Sequence, residues 1–493
     1  MVLKHLNSLQ PGKAAGPDSV KSDYLKTLSE EVVTPLTIIY QNSLAQSCIP
    51  KDWKRANIVP LHKKGSYAEV TNYRPINLTS IPGKIMETLI RDIMVEHLEE
   101  NKLILDTQHG FRRGMSCVSN MLLYWDNLTS FIDQGIPVDV IYLDLQKAFD
   151  TVPHCRLLSK IQAHGIGGLV LQWIQEWLKD RRQRVVLNGC ESVWTEVTSS
   201  VIQGSVLGPI CFTIYMNDLD LNIISGISKF ADDTKIICPI YSEHDKAILQ
   251  EDLNTLMEWT RKWQMKFNVN KCAVLHFGFN NPNYQYFMDG KQLQSKEEEK
   301  DLGIIVTTSM NFSKHCASSV KKANQVIGLI KRNFHNFDRK IMINLYKSLV
   351  RPHLDYAVSV WKPYLRKDIN LIEGVQRRMT KLISGMKDKT YEERLELLKL
   401  TSLEQRHKRQ DLITAFNMTK GNIKIDLGKI VEIIGKTSTR GHSWKIRPKS
   451  SRLELRRNSF FCRIWKTWNA LPEHLIGATT LNQFKTGLKD MGY

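Results

Sequence analysis

KFADDTK, residues 229–235, sets two adjacent carboxylates, Asp232 and Asp233, among residues that read as strand: Ile227 and Phe230 before them, Ile236 and Ile237 after. Two Asp at the break between strands predict a hairpin turn. At about 4 Å and an effective dielectric near 20, two like charges repel by roughly 4 kcal/mol. The turn is therefore fully solvated or it faces a cation. A DD pair in isolation is an ordinary solvated turn, so its surroundings must decide.

Upstream, VDVIYLD (138–144) reads as a buried strand ending on Asp144, 88 residues before Asp232. A strand-end Asp beside a hairpin Asp can supply the hard oxygen ligands that divalent ions need. Two such ions stabilise the attacking and leaving oxygens of an in-line displacement at phosphorus. Around this pair the chain alternates. Helices are predicted over 19–48, 83–100, 155–164, 168–180, 208–224 and 246–266, with strands at 56–61 and 272–277 and a hairpin turning at Asn188-Gly189. In 83–100 the expected apolar stripe is Ile85, Leu89, Ile93 and Leu98. EEEK (297–300) reads as a solvated charged turn. After about 312 the pattern is almost wholly helical, with one apolar face at Ile369, Ile372, Val375, Met379, Leu382 and Ile383. The fold class expected is α+β, a sheet covered by helices on one face.

The chain has 493 residues, too many for one compact core, and 42% of them are apolar. No apolar run reaches transmembrane length, and the N-terminus has no apolar leader, so neither a membrane nor secretion is expected. Nine cysteines form no CxxC pair, which argues against zinc and against a disulfide framework. The net charge of +19 is uneven: residues 311–493 hold 37 Lys/Arg against 15 Asp/Glu, and the first 310 hold 32 against 35. A near-neutral body with a strongly basic C-terminal third is the electrostatic footprint of a nucleic-acid binder.

These motifs fall in a recognisable order: KAAGPDSV (13–20), NYRPINLTS (72–80), QHGFRRGMSC (108–117), YLDLQKAFDTVPH (142–154), QGSVLGPICFTIYMNDL (203–219), FADDTK, WQMKFNVNKC (263–272) and DLGIIV (301–306). YKSLVRPHLDYAVSVW (346–361), TRGHSWKI (439–446) and WNALP (468–472) follow. Each is weak to moderate alone; the ordered set is specific. It resembles the reverse transcriptases of non-long-terminal-repeat (LINE-type) retrotransposons, in the jockey and chicken-repeat group. The resemblance implies a right-hand polymerase, with an N-terminal extension over 1–50, fingers and palm over 51–310, a helical thumb over 311–400 and a basic nucleic-acid-binding region over 401–493. It implies an RNA template, a DNA primer, deoxynucleotides, two Mg²⁺ ions (Mn²⁺ as a substitute) and nuclear work.

Carried over residue by residue, the resemblance makes Asp144, Asp232 and Asp233 the metal carboxylates, Asp233 assisting the metals or shaping the turn. Phe149 matches a steric gate against a ribose 2′-OH. Gln203 and Gly204 open the template-and-nucleotide platform. Arg74, with Lys63 or Lys64, matches the grip on the incoming triphosphate, where a permanently charged guanidinium suits phosphate oxygens. Lys271 resembles the lysine near the leaving pyrophosphate, a general acid, and Leu302-Gly303 the primer grip. Arg112 is a template or nucleotide contact. Arg377, Arg378, Lys381, Arg440, Arg456 and Arg457 are expected along template–primer, and Trp444, Trp465 and Trp468 as base-stacking or small-core aromatics.

The chain departs from the family where a Pro usually stands at position 202: Ile202 frees φ and restores an N–H. Gln405 and Gln410 stand where a second Arg and a Gly are usual. Family elements carry an endonuclease ahead of the polymerase, and nothing in residues 1–50 supplies a second nuclease site, so a polymerase is expected and not a complete transposition machine. Two other readings stay open: a catalytically inactive RNA-binding remnant, and a group II intron-type reverse transcriptase/maturase.

Overall fold

The computed structural model describes residues 1–63, 65–197, 199–335, 337–434, 442–447 and 449–493; Lys64 and Arg440, both expected at nucleic acid, lie outside them. The architecture is α+β. At the N-terminus one predicted helix is two, Ser22–Thr27 and Ser29–Ala45, with Leu28 off helical geometry between them. Strands β1 (Arg55–His62) and β2 (Tyr73–Thr79) form an antiparallel hairpin, and helix α1 (Ile81–Glu100) follows, capped by Ser80 Oγ. On α1 the buried stripe is Ile85, Met86, Ile90, Met94 and Leu98, while Ile93, expected in it, stays exposed. Helix α2 (Cys117–Asp133) starts at a reciprocal Ser116–Ser119 capping box.

The centre is a five-stranded sheet. It takes β3 (Val138–Leu143), the hairpin β4 (Gly226–Phe230)–β5 (Asp233–Pro239), β6 (Ala273–Phe277) and β7 (Gln294–Ser295), in the order β7-β6-β3-β5-β4. Strand β3 is antiparallel to both neighbours. All six of its residues are buried. Val138, Val140 and Tyr142 face one hydrophobic core, together with α2 and much of the chain after Ile304. Ile141 and Leu143 face the other, with Ile236, Val274, Phe212 and the N-terminal helices. Both faces are thus covered, not one as the sequence suggested. A run of consecutive apolar residues such as VIYL (140–143) belongs to a strand buried on both sides.

That double burial fixes the register. Asp139, the one charge inside β3, is fully buried and accepts from Tyr286 Oη (2.6 Å) and Asn281 Nδ2 (2.9 Å) and pairs with His276 Nδ1 (2.7 Å). A one-residue slip would strip it of these partners and exchange the two faces.

The helix predicted over 208–224 stops early: α3 spans Gly208–Tyr215, and a 3₁₀ turn covers Asn217–Asp220. Its polar side chains bind elsewhere, Asn217 to Leu105 and Leu103, Asp218 to Lys160, Asp220 to Lys229, and so compete with the helix. EEEK is also not a solvated turn: Glu298–Asp301 is strand β8, paired antiparallel with β9 (Ile304–Thr307). The helices after 312 include α4 (Ser313–Asn333) and α5 (Arg366–Lys381), whose Ile372, Val375 and Met379 are buried as their spacing predicts.

Candidate active site

Asp144 lies one step beyond the Leu143–Thr234 pair of β3 and β5, beside the hairpin that carries Asp232 and Asp233. Its backbone is held on both sides: the N–H donates to Cys272 Sγ (3.4 Å) and the C=O accepts from Asn268 N–H (2.7 Å). In the hairpin, Phe230 pairs with Asp233, so Ala231 and Asp232 form the two-residue turn. Ala231 is in the left-handed region, φ 58°.

The carboxylates crowd one another. Burial first, then the charge of Asp144, push the Asp232 carboxyl above its ordinary range, against the pull of Arg74 and Lys63. Asp233 reaches solvent at its surface, yet loss of solvation and then Asp232, Asp301 and Asp144 push it up to about 6, with Lys235 opposing. Asp144 Oδ2 is buried without a hydrogen-bond partner; Lys271 Nζ stands 3.3 Å from it without hydrogen-bond geometry. An orphaned buried carboxylate oxygen beside two acids that repel it fits a divalent cation. Among the described residues no group of three or more His, Cys, Asp or Glu is gathered tightly enough to hold an ion alone. A cation here would therefore complete its shell with water and substrate oxygens.

A cavity of about 330 Å³ opens at these acids, lined among others by Asp144, Asp233, Lys271, Lys300, Asp301 and Leu302. Leu302 (φ 44°) and Gly303 (φ 89°) make the tight turn between β8 and β9, and Tyr356 Oη donates to Leu302 O at 2.9 Å. Across the site, Leu61 pairs with Arg74 in the β1–β2 hairpin, and the exposed Lys63 and Arg74 are the cations that draw Asp232 down. Asn77 of β2 donates its N–H (3.1 Å) and its amide (3.0 Å) to Gln203 O. A Cβ on Gly204 (φ 109°) would lie 2.5 Å from Asn77 O, so only glycine permits this approach. Ile202 packs its side chain into the core under this loop. The ring of Phe149 stacks on Phe212 (4.2 Å, 15°) and meets Phe111 edge-on (6.3 Å, 87°), which leaves it partly buried at the core's margin.

Other expected residues stand elsewhere. Arg112 is engaged within its own loop, donating to Leu105 O (2.7 Å) and Gln108 O (3.2 Å) and pairing with Asp106 (3.6 Å). Arg377, Arg378 and Lys381 are exposed near the end of α5; Arg377 lies over the Tyr391 ring, and Arg378 donates to Asn324 Oδ1. Arg456, expected along nucleic acid, is instead buried against α2: it pairs with Asp126 and donates to Asp126 O and Thr129 Oγ1, both at 2.8 Å. A guanidinium this deeply buried, with Nη1 committed to α2, is withdrawn from phosphate. Trp468 is fully buried, its Nε1 donating to Trp444 O (2.8 Å), and Trp444 and Trp465 pack on the same core. These are core anchors, the second of the two roles open to them. Arg457 stays exposed and donates to Ser451 O and Arg452 O.

Three supports of the site carry no motif role in the sequence reading. Lys229, fully buried, pairs with Asp220 and donates to Met216 O (3.1 Å) and Asn217 O (3.3 Å). Lys235, also buried, pairs with Asp301 and lies 4.2 Å from the Tyr124 ring centre, tying the β4–β5 hairpin to β8. Gln108 holds the turn itself. The two lysines flank FADDT inside an apolar stretch, and a lysine in a buried strand signals a buried acid partner.

Residues 61–312 match the family model described as reverse transcriptase (RNA-dependent DNA polymerase). The chain is similar to the RNA-directed DNA polymerase from mobile element jockey of Drosophila funebris, 29% identical over 77% of this chain and 43% of that protein. It is similar also to two probable RNA-directed DNA polymerases of Drosophila melanogaster. One is from transposon BS (27%, 78% of this chain, 44% of that one) and one from transposon X-element (27%, 76% and 42%). The chain thus spans less than half the length of these relatives.

Proposed function

Because the chain belongs to the reverse transcriptase (RNA-dependent DNA polymerase) family, we propose that it extends a primer 3′-OH with deoxynucleotides on an RNA template, as the polymerase of a jockey-like mobile element. The observation that carries this reading is the buried Asp144 Oδ2, without a hydrogen bond and with only the exposed Lys271 opposite it, beside Asp232 and Asp233. The reading divides the chain as a right hand: an extension over 1–50, fingers and palm over 51–310, thumb over 311–400, and a C-terminal region over 401–493.

Two Mg²⁺ ions held by Asp144 and Asp232 would supply charge for the attacking and leaving oxygens, with Asp233 shaping or assisting the pair. The protein's own groups do the rest by position and charge. Lys63 and Arg74 approach the acids from the opposite hairpin, where a triphosphate would lie between cations and carboxylates. Phe149, braced by Phe212, presents a rigid edge against a ribose 2′-OH. Lys271, beside Asp144, stands where a proton could pass to the departing pyrophosphate. The Leu302-Gly303 turn borders the cavity where the primer end would sit. A mobile element's target is chromosomal DNA, so the reading also places the chain's work in the nucleus.

The test is single-turnover primer extension with template and nucleotide varied. The expectation is dNTP addition directed by RNA, with rNTPs strongly disfavoured and Phe149→Ala relaxing that preference. Extension without a template, or none on any template despite tight template–primer binding, would replace this reading with a transferase or a binding remnant.

A further inference from the structure

Residues 107–110 lie along the edge of the catalytic hairpin: Lys229 N–H donates to Thr107 O (2.8 Å) and His109 N–H to Lys229 O (2.9 Å). Between them Gln108 is fully buried. Its Oε1 accepts from Ala231 N–H (2.9 Å) and Gly110 N–H (2.7 Å), and its Nε2 donates to Ala231 O (3.3 Å). One side chain thus satisfies both backbone groups of the residue immediately before Asp232. Ala231 needs that support, because a non-glycine residue at φ 58° costs of the order of 1–2 kcal/mol. Gly110 completes the cradle: a Cβ there would stand 2.4 Å from Ala231 N.

We propose that Gln108 is a positioning residue for polymerisation, holding Ala231 in its left-handed conformation so that the Asp232 carboxylate is aimed at Asp144. The claim rests on the polymerase reading for its kinetic consequence but not for its structural one. The chemistry of the side chain is specific. Glutamate accepts both N–H groups but cannot donate to Ala231 O and adds charge to three crowded acids. Asparagine is one methylene too short. Methionine fills the volume and makes no such bond.

The experiment compares wild type, Gln108→Met and Gln108→Ala, each also in an Ala231→Gly background, by two readouts. Hydrogen exchange of the peptide amides over 227–235 reports the turn directly. Primer extension as a function of Mg²⁺ reports its use. Loss of the Gln108 bonds is expected to speed exchange at Ala231 by about tenfold or more. It should lower the extension rate at saturating dNTP by a similar factor and raise the Mg²⁺ midpoint, with the dNTP KM little moved and the melting temperature lower because the freed backbone groups stay buried. In the Ala231→Gly background the same change should cost less, since glycine enters this conformation freely. Unchanged exchange and midpoint in Gln108→Met would overturn the proposal. So would equal losses of extension and of protection in both backgrounds, which mark an ordinary core residue. If wild type does not extend at all, the polymerase reading fails while exchange still decides the role of Gln108.

Discussion

The β1–β2 hairpin and the C-terminal segment both carry cations expected to meet phosphate, and they treat them differently. Lys63 and Arg74 stand exposed within electrostatic reach of Asp232. Arg456 is buried against Asp126, Arg463 bonds to both oxygens of Asp411, and Asp133 accepts from Leu453 and Arg452. The first region offers charge to a ligand. The second uses part of its charge to hold the chain's end, Arg456 onto α2 and Arg463 onto Asp411. A net balance counts cations without saying which are already spent, and only their contacts in the folded chain make that distinction.

The contrast predicts mutations of opposite kinds. Asp144→Asn should reduce extension by more than about a hundredfold while leaving the melting temperature nearly unchanged, since Oδ2 makes no hydrogen bond and its ion pair is to the exposed Lys271, worth little to stability. Arg456→Ala should do the reverse: removing one member of a buried pair costs about 3–5 kcal/mol in denaturant unfolding. An apolar replacement of both Arg456 and Asp126 should recover much of it, and if Arg456→Ala proves neutral the distinction between the two regions fails. The exposed α5 cations fall between. Arg377→Ala with Arg378→Ala should lower the salt slope of template–primer affinity by about 1 to 2, with little change in stability.

The smallest effect concerns acid. Burial, with Lys322 and Lys300 adding, pushes His315 down to about 4, and its Nδ1 accepts from Ile305 N–H (3.2 Å) where β9 meets α4. The unfolded chain binds this proton near 6.5, so the stability it contributes is present above that pH and is lost as pH falls toward 4. His315→Asn, which keeps an acceptor without a titrating ring, should flatten melting temperature against pH in that window.

Much of the site was legible in the sequence because its chemistry is local. FADDT and VIYLD each announce an apolar strand ending on acids, and pairing them needs only that the strands be neighbours, as β3 and β5 are. What was not legible depends on contacts between distant segments. Gln108 looks like any polar residue until Ala231 is found beside it. Arg456 and Trp468 look like a nucleic-acid surface until α2 and the last helices close over them. EEEK reads as a solvated turn because the partner that makes it a strand, Ile304–Thr307, lies beyond it, and because Asp301 is drawn in by Lys235. The second covered face of the sheet was present in VIYL (140–143), whose consecutive apolar residues already excluded a solvated side.

The most direct measurement sets binding beside turnover for one pair of proteins, wild type and Asp232→Asn, on a DNA primer annealed to RNA with dNTPs and Mg²⁺. The account predicts that both bind the template–primer within about twofold of each other and that only wild type extends it, because the turn carries charge for metal and not for nucleic acid. Extension by Asp232→Asn at a rate near wild type would contradict it, since the acids could not then be the seat of the reaction.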